Sequence, residues 1–299
     1  MPLNLQALRV FAAVVEHDGF SRAAAVLRLS QPAVSKGVAG LERDVGMPLL
    51  ERGARGVRLT EAGALLHERA RELFAVERGA EEELRALRGL DAGALRIGAS
   101  TTVANYLLPP LLGAFHVRFP GVTLRVTSAN TRAIARLLLV RRLDVALVEG
   151  PVSHARIEVV PWREDALVII APPEHPLARR GTVAPEALAT EPFILRERGS
   201  GTRTVAEAAL RARGLTPPVA LTLGSTEAIK QAVRAGLGLA VVSRAAVADQ
   251  LAAGTLAALR VRDWDVPRAL TLLRLRGRVP GAAARRFEEA LGTDAGASR

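Results

Sequence analysis

Phe20-Ser21-Arg22-Ala23-Ala24-Ala25-Val26-Leu27-Arg28-Leu29-Ser30-Gln31-Pro32-Ala33-Val34-Ser35-Lys36 is the stretch whose reading decides the fold of this 299-residue chain. Ser21 is placed to cap a helix with Ala24 and Leu27 on its buried face, because a serine hydroxyl accepts from an orphan first-turn N–H. Leu29-Ser30 reads as a tight break. Pro32 then falls in the first turn of a further helix, where its missing N–H costs little. Val34, Val38 and Leu41 form that helix's inner face and Gly46 ends it. Upstream, Leu5, Leu8, Phe11 and Val15 recur at helical spacing until Asp18-Gly19. Three short helices with a tight turn between the last two make a helix-turn-helix pattern. Downstream, Glu51-Arg52-Gly53-Ala54-Arg55-Gly56-Val57-Arg58-Leu59 reads as a hairpin with a glycine-containing tip, a wing.

From Thr60 to about Arg88 the helical period returns. Leu66, Leu73, Ala80 and Leu87 stand seven apart, with Ala70 and Leu84 beside them. Such a stripe suits a linker helix that pairs with a copy of itself; it also suits an amphipathic helix packed on its own domain. Gly89 and Gly93 break the chain. Strands are then expected at 95–99, 122–127, 145–149, 166–171, 193–196, 219–223, 239–243 and 270–275. Helices are expected at 106–119, 131–140, 203–213, 227–235, 244–252 and 282–291. This alternation implies parallel sheets with helices on both faces.

Composition bounds the function. Apolar residues make up 49% of the chain, too many for a disordered protein. The absence of cysteine excludes disulfides, thiolate metal sites and cysteine nucleophiles. The N-terminus lacks the basic-then-apolar pattern of a secretory signal. No run reaches the roughly 18 apolar residues of a membrane span. A cytoplasmic protein without membrane contact is expected. The net charge is +11, yet residues 1–90 hold 13 basic and 12 acidic residues, so the excess lies in the remainder. Within residues 20–60, however, seven basic face three acidic residues.

That local balance favours DNA. The outer face of the second helix of a helix-turn-helix enters the major groove. Here it carries Gln31, Pro32, Ser35, Lys36 and Arg43. Glutamine can pair with adenine N6 and N7, and lysine can reach guanine acceptors or phosphate. Ser21 and Ser30 can serve phosphates, and Arg52, Arg55 and Arg58 of the wing can follow the backbone or the minor groove. A helical protein-binding module with a solvated polar face is the plainer alternative for the same three helices.

The run from Phe20 to Lys36 resembles the signature of LysR-type transcriptional regulators, as do Leu41-Glu42 with Gly46, Leu50-Glu51-Arg52, and Leu59-Thr60-Glu61-Ala62-Gly63. The similarity extends over the whole chain. One departure is Gly37 and Gly40 inside the recognition helix, where glycine costs roughly 1 kcal/mol each against alanine. The resemblance implies a homodimer or homotetramer held by paired linker helices, with each winged domain on one half-site of an interrupted inverted repeat in double-stranded DNA. Gln31, Pro32, Ser35 and Lys36 would read bases and the wing arginines would touch phosphates. RNA polymerase is a further candidate partner.

Three loops of the C-terminal part look built to hold an anion. Ile97-Gly98-Ala99 runs into Ser100-Thr101-Thr102 and a helix, where N–H groups and hydroxyls converge. Arg196-Glu197-Arg198-Gly199-Ser200-Gly201-Thr202-Arg203 precedes another helix, its glycines admitting close approach and its arginines supplying charge. Gly224-Ser225-Thr226-Glu227 follows a strand and opens a third. Ordinary helix capping accounts for any one loop alone. The LysR resemblance implies a periplasmic-binding-protein-like α/β effector domain of two lobes, joined by crossover strands near residues 160–163 and 264–268. On that match Ser100 and Thr102 belong to the first lobe, with Asn130, Thr131 and Glu149 nearby. Ser200, Thr202 and Thr226 belong to the second, and Thr101, Gly201 and Arg203 complete the expected set.

Leu147-Val148-Glu149-Gly150 and the run Gly199 to Arg203 look most like the branch of carbon-fixation-operon and sulfur-assimilation regulators. That branch implies sulfite- or sulfate-like ions, or phosphorylated metabolites, as effectors. The expected segments are an all-α winged helix-turn-helix at 1–60, a linker or dimerisation helix at 61–90, lobe I at 91–161 with 267–299, and lobe II at 162–266. An enzyme and a transport-type solute-binding protein are the rivals. No nucleophile elbow, phosphate loop or metal-ligand cluster stands in the sequence, and His17, His67, His116, His154 and His175 are scattered. No catalytic residue, metal or cofactor is expected.

Overall fold

The computed structural model describes residues 3–53, 56–87 and 93–296; at 52–53, 56, 82–83, 85–87 and 293–296 the backbone alone is described. The chain divides into two compact units, Met1–Glu81 and Glu82–Arg299.

The first unit is built from α1 (Leu5–Glu16), α2 (Phe20–Leu27), α3 (Gln31–Val45), β1 (Leu50–Gly53), β2 (Gly56–Leu59) and most of α4 (Glu61–Leu87). Asn4 caps α1 by accepting from the N–H groups of Gln6 and Ala7. Ser21 does not cap α2: the helix opens one residue earlier, on Gly19, with no side-chain cap, and Ser21 lies inside its first turn. The turn between α2 and α3 is made by Arg28, in the left-handed region at φ 55°. Ser30 caps α3, accepting from Ala33 N at 3.3 Å, and Gly46 ends it at φ 76°. Phe11, Val14, Ala24, Val34, Val38, Leu41, Leu49, Ala70 and Phe74 form the core. Gly37 sits where a β-carbon would stand 3.3 Å from Val10, so close packing on α1 accounts for one of the two glycines of α3. The hairpin is antiparallel, with Leu50 opposite Leu59 and Glu51 opposite Arg58. Glu42 ties it to α3 by accepting from the N–H groups of Leu49 and Leu50.

The stripe expected on α4 divides. Ala70 is buried with Phe74 against the core, whereas Leu73, Ala80 and Leu84 are exposed together with Val76. Leu87 is described by its backbone alone.

The second unit comprises β3 (Gly93–Ser100), a π turn (Val103–Leu107), α5 (Leu108–Arg118), β4 (Val122–Ala129), α6 (Thr131–Leu139), β5 (Val145–Glu149), β6 (Ile157–Ala171), a 3-10 turn (Pro185–Leu188), β7 (Phe193–Arg196), α7 (Gly201–Arg211), β8 (Val219–Leu223), α8 (Thr226–Arg234), β9 (Ala240–Ser243), α9 (Arg244–Ala252), β10 (Ala257–Ala258), β11 (Pro267–Leu275) and α10 (Ala282–Gly296). One lobe has the strand order β4-β3-β5-β11-β6, with β3 parallel to both β4 and β5. In the other, β7 pairs with β8 in parallel and is bridged to the start of the β9 segment at Leu239. The expectation of wholly parallel sheets is corrected: β11 runs antiparallel to β5 and β6, and β9 runs antiparallel to β6. A chain that leaves one lobe and later returns must supply strands of opposite direction. β6 is also longer than the expected 166–171. Its first part pairs with β11 as far as Ala166, and from Leu167 it pairs with β9. The polar pair Glu164-Asp165 interrupts the apolar pattern where the strand passes between lobes.

Each lobe has its own core. Leu95, Ile97, Val145, Leu147, Leu270 and Phe287 anchor the first, and Leu167, Ile169, Phe193, Leu195 and Val241 the second. β5 is buried along its whole length, as its apolar run Val145–Val148 demands of a strand covered on both faces.

Candidate functional site

Two surfaces carry the residues singled out above. On α3, Val34, Val38 and Leu41 bury one side and leave the other to solvent. Gln31, Pro32, Lys36 and Arg43 are exposed there, and Ser35 is half-buried. Lys36 has no acidic partner among the described residues. Ser30 is exposed beside them while serving as the α3 cap, and Ser21 is exposed on α2. Of the wing arginines, Arg58 is exposed on β2, Arg52 is placed on β1 by its backbone, and Arg55 lies outside the described residues.

In the second unit the two lobes meet at a buried polar cluster around Glu149, the last residue of β5 and 1% exposed. Ser100, at the end of β3, donates to Glu149 Oε2. Thr102 donates to Oε1 at 3.4 Å and Thr202, from the other lobe, donates to the same oxygen at 3.2 Å. Thr131 donates to the Glu149 carbonyl at 3.0 Å. The approach is close because Gly150 and Gly201 let two backbones touch. A β-carbon on Gly201 would lie 1.9 Å from the Glu149 carbonyl oxygen, a contact no side chain tolerates.

Arg268 on β11 donates to Thr202 at 2.8 Å and stands 3.9 Å from Glu149, while its other atoms hold Asp165 at 2.7 Å. Ser243 donates to the same Asp165 oxygen. Arg196, 2% exposed, reaches across the lobes to Thr101 at 2.8 Å, donates to Thr226 at 3.3 Å and pairs with Glu197. Further along, Tyr106 donates to Glu227, which also holds the buried Lys230 at 2.6 Å. Burial and then Glu227 push the Tyr106 hydroxyl above its ordinary range. Burial alone would raise Glu227, but hydrogen bonds from Lys230 and Tyr106 outweigh it and hold the carboxyl low.

The structure brings Ser100, Thr102 and Thr202 onto the Glu149 carboxyl group and Thr131 onto its backbone carbonyl, with Thr101 and Thr226 meeting at Arg196. Two expected residues serve as caps: Asn130 accepts from Ala133 N and Ser200 from Arg203 N. Arg203 turns away, toward Glu207 and the Arg196 carbonyl. α8, by contrast, has no side-chain cap at Ser225. Arg268, Asp165, Ser243, Tyr106 and Lys230 lie outside the expected set. The signal for Arg268 was its position at the return crossover; among so many arginines nothing local marked it. Beside the cluster lies a cavity of about 380 Å³ between α6 and the start of α7, lined by Thr131, Arg132, Arg136, His154, Gly201 and Thr204. No helix among the described residues is long and apolar enough to cross a membrane.

Two family profiles match the chain. "Bacterial regulatory helix-turn-helix protein, lysR family" covers residues 5–64, and "LysR substrate binding domain" covers residues 88–296. The chain is 39% identical to the RuBisCO operon transcriptional regulator of Allochromatium vinosum over 97% of its own length and 95% of that protein. Its second unit resembles the Synechocystis PCC6803 CcmR regulatory domain solved in complex with 2-PG, with a TM-score of 0.64 and 30% identity over 68% of this chain and 97% of that one. Full-length CbnR, solved with its target DNA, shares the fold at a TM-score of 0.68 and 24% identity over 97% of this chain and 99% of that one.

Proposed function

The chain belongs to the LysR family of transcriptional regulators, and from that premise we propose that α3 and the wing read promoter DNA under the control of a small anion held between the lobes. The observation that carries the reading is the face of α3. Gln31, Pro32 and Lys36 stand clear of the body of the unit on a helix fixed by its opposite side. Ser35 and Arg43 flank them, Ser21 and Ser30 offer phosphate contacts, and Arg52, Arg55 and Arg58 follow the backbone. In the second unit Ser100, Thr101, Thr102, Asn130, Thr131, Glu149, Ser200, Gly201, Thr202, Arg203 and Thr226 frame the effector site. Of these, Asn130, Ser200 and Arg203 act by shaping the loops. The relative bound to 2-PG supports a phosphorylated effector.

The functional segments are 1–60 for DNA, 61–90 for self-association, 91–161 with 267–299 for lobe I, and 162–266 for lobe II. The exposed apolar residues Leu73, Val76, Ala80 and Leu84 support a seam between paired α4 helices. The assembly is a homodimer or homotetramer on an interrupted inverted repeat, working with RNA polymerase in the cytoplasm, where the DNA is. Effector binding acts by shifting the population of lobe arrangements.

Fluorescence anisotropy with DNA flanking the protein's own gene tests the reading. Lys36→Ala weakens binding across sequences and lowers the salt slope by about one. Gln31→Ala costs about 1–3 kcal/mol and relaxes preference at one base pair. Unchanged binding in both variants would remove α3 from the interface.

A further inference from the structure

We propose that Glu149 makes the interlobe site selective for an oxyanion that brings its own proton, such as inorganic phosphate, over one that offers only acceptors, such as sulfate. The inference rests on the reading of the cleft as the effector site and assigns its ligand chemistry.

The donors expected to hold an anion already converge on an acid of the protein. Glu149 takes Ser100 on one oxygen, and Thr102 and Thr202 on the other. This carboxyl group cannot withdraw. It is 1% exposed, its own carbonyl is held by Thr131, and the backbone beyond it is jammed against Gly201. A ligand bound at these hydroxyls therefore has the carboxyl group as a direct neighbour.

The surrounding cations offset it only in part: Arg268 pairs with Glu149 but is shared with a second, closer acid. Arg268 is committed to Asp165 at 2.7 Å and stands 3.9 Å from Glu149; Arg196 is paired with Glu197; Lys230 is paired with Glu227. The donors left over are the hydroxyl hydrogens of Thr101 and Thr226, which accept from Arg196, and the uncapped first turn of α8. They suit the far side of an anion. The near side meets an acceptor, and two buried acceptors facing each other repel unless a proton lies between them. Inorganic phosphate carries at least one proton near neutral pH, whereas a phosphate monoester, whose last proton leaves near pH ~6, keeps it only in part at pH 6.5. Sulfate, of the same size and shape, has none to offer.

Isothermal titration of the full-length chain with sodium phosphate and sodium sulfate at pH 6.5 tests this. The expected result is phosphate binding at least about ten-fold tighter than sulfate. Glu149→Gln, whose amide can donate, should bring the two within about three-fold of each other. Ser100→Val should weaken both ions. If the wild-type chain binds sulfate as well as phosphate and Ser100→Val weakens both, the selectivity proposal is overturned and the cleft stands. If neither ion binds, or Ser100→Val changes nothing, because the ions sit elsewhere (at Arg132 and Arg136, for instance), both the cleft and the proposal fall. Should Glu149→Gln not fold, the wild-type ratio alone decides.

Discussion

Gly201 shows how a single residue holds the proposed effector site together. Its missing side chain lets the start of α7 rest on the end of β5, and any β-carbon there would meet both the Glu149 carbonyl and the Thr131 hydroxyl. Gly201→Ala should force the two apart and weaken phosphate binding by more than about ten-fold in calorimetry. Gly113→Ala, on α5 with open space around it, should change nothing in the same titration. In the first unit His67 behaves as a latent proton site. Its Nε2 is buried without a partner and Phe11 packs edge-on at 6.3 Å. Burial, and then the charge of Arg71, depress its pKa below the ordinary 6.5, although Glu16 pulls the other way. The unfolded chain therefore binds more protons below pH 6.5, and stability falls with pH from that value toward the depressed one. Protection factors of the α1 amides, which are corrected for the intrinsic slowing of exchange in acid, should fall from pH 7.5 to pH 5.5 in the wild-type chain, and much less in His67→Gln. The hydroxyl residues of the cleft were legible in the sequence because they cluster at helix starts. Arg268 was not, since it reaches Thr202 only through the return of a distant strand.

At the scale of elements, periodicity carried most of the reading. The 3.6-residue spacing located α1 to α4, and the apolar runs located most strands of the second unit. What it missed has physical causes. Ser21 looks like a cap, but Gly19 starts α2. A π turn at Val103–Leu107 precedes α5 where one continuous helix was expected. β6 reads as short because Glu164 and Asp165 break its pattern, and Asp165 is there to hold Arg268. α4 divides its apolar residues between its own core and solvent. The exposed share makes a definite prediction for this helix. Val76→Glu with Leu84→Glu should shift sedimentation velocity profiles toward the monomer. Because both side chains are exposed, each change should alter the monomer's own stability by no more than about 0.5 kcal/mol.

For the whole molecule, the two-part organisation was readable from the change of pattern near residue 90. Its electrostatics were less so. The basic excess lies in the second part of the chain, yet the cleft does not draw on it: its buried cations each have an acid nearby. Net charge sums over a surface, whereas a ligand meets a handful of groups. Coupling between the cleft and DNA is the claim on which the account turns. The most direct measurement is the affinity of the full-length chain for its own promoter fragment, titrated with and without saturating sodium phosphate. The expected result is a change of about five-fold or more, absent in Ser100→Val. An affinity identical with and without the ligand, in a wild-type chain shown by calorimetry to be occupied, would contradict it.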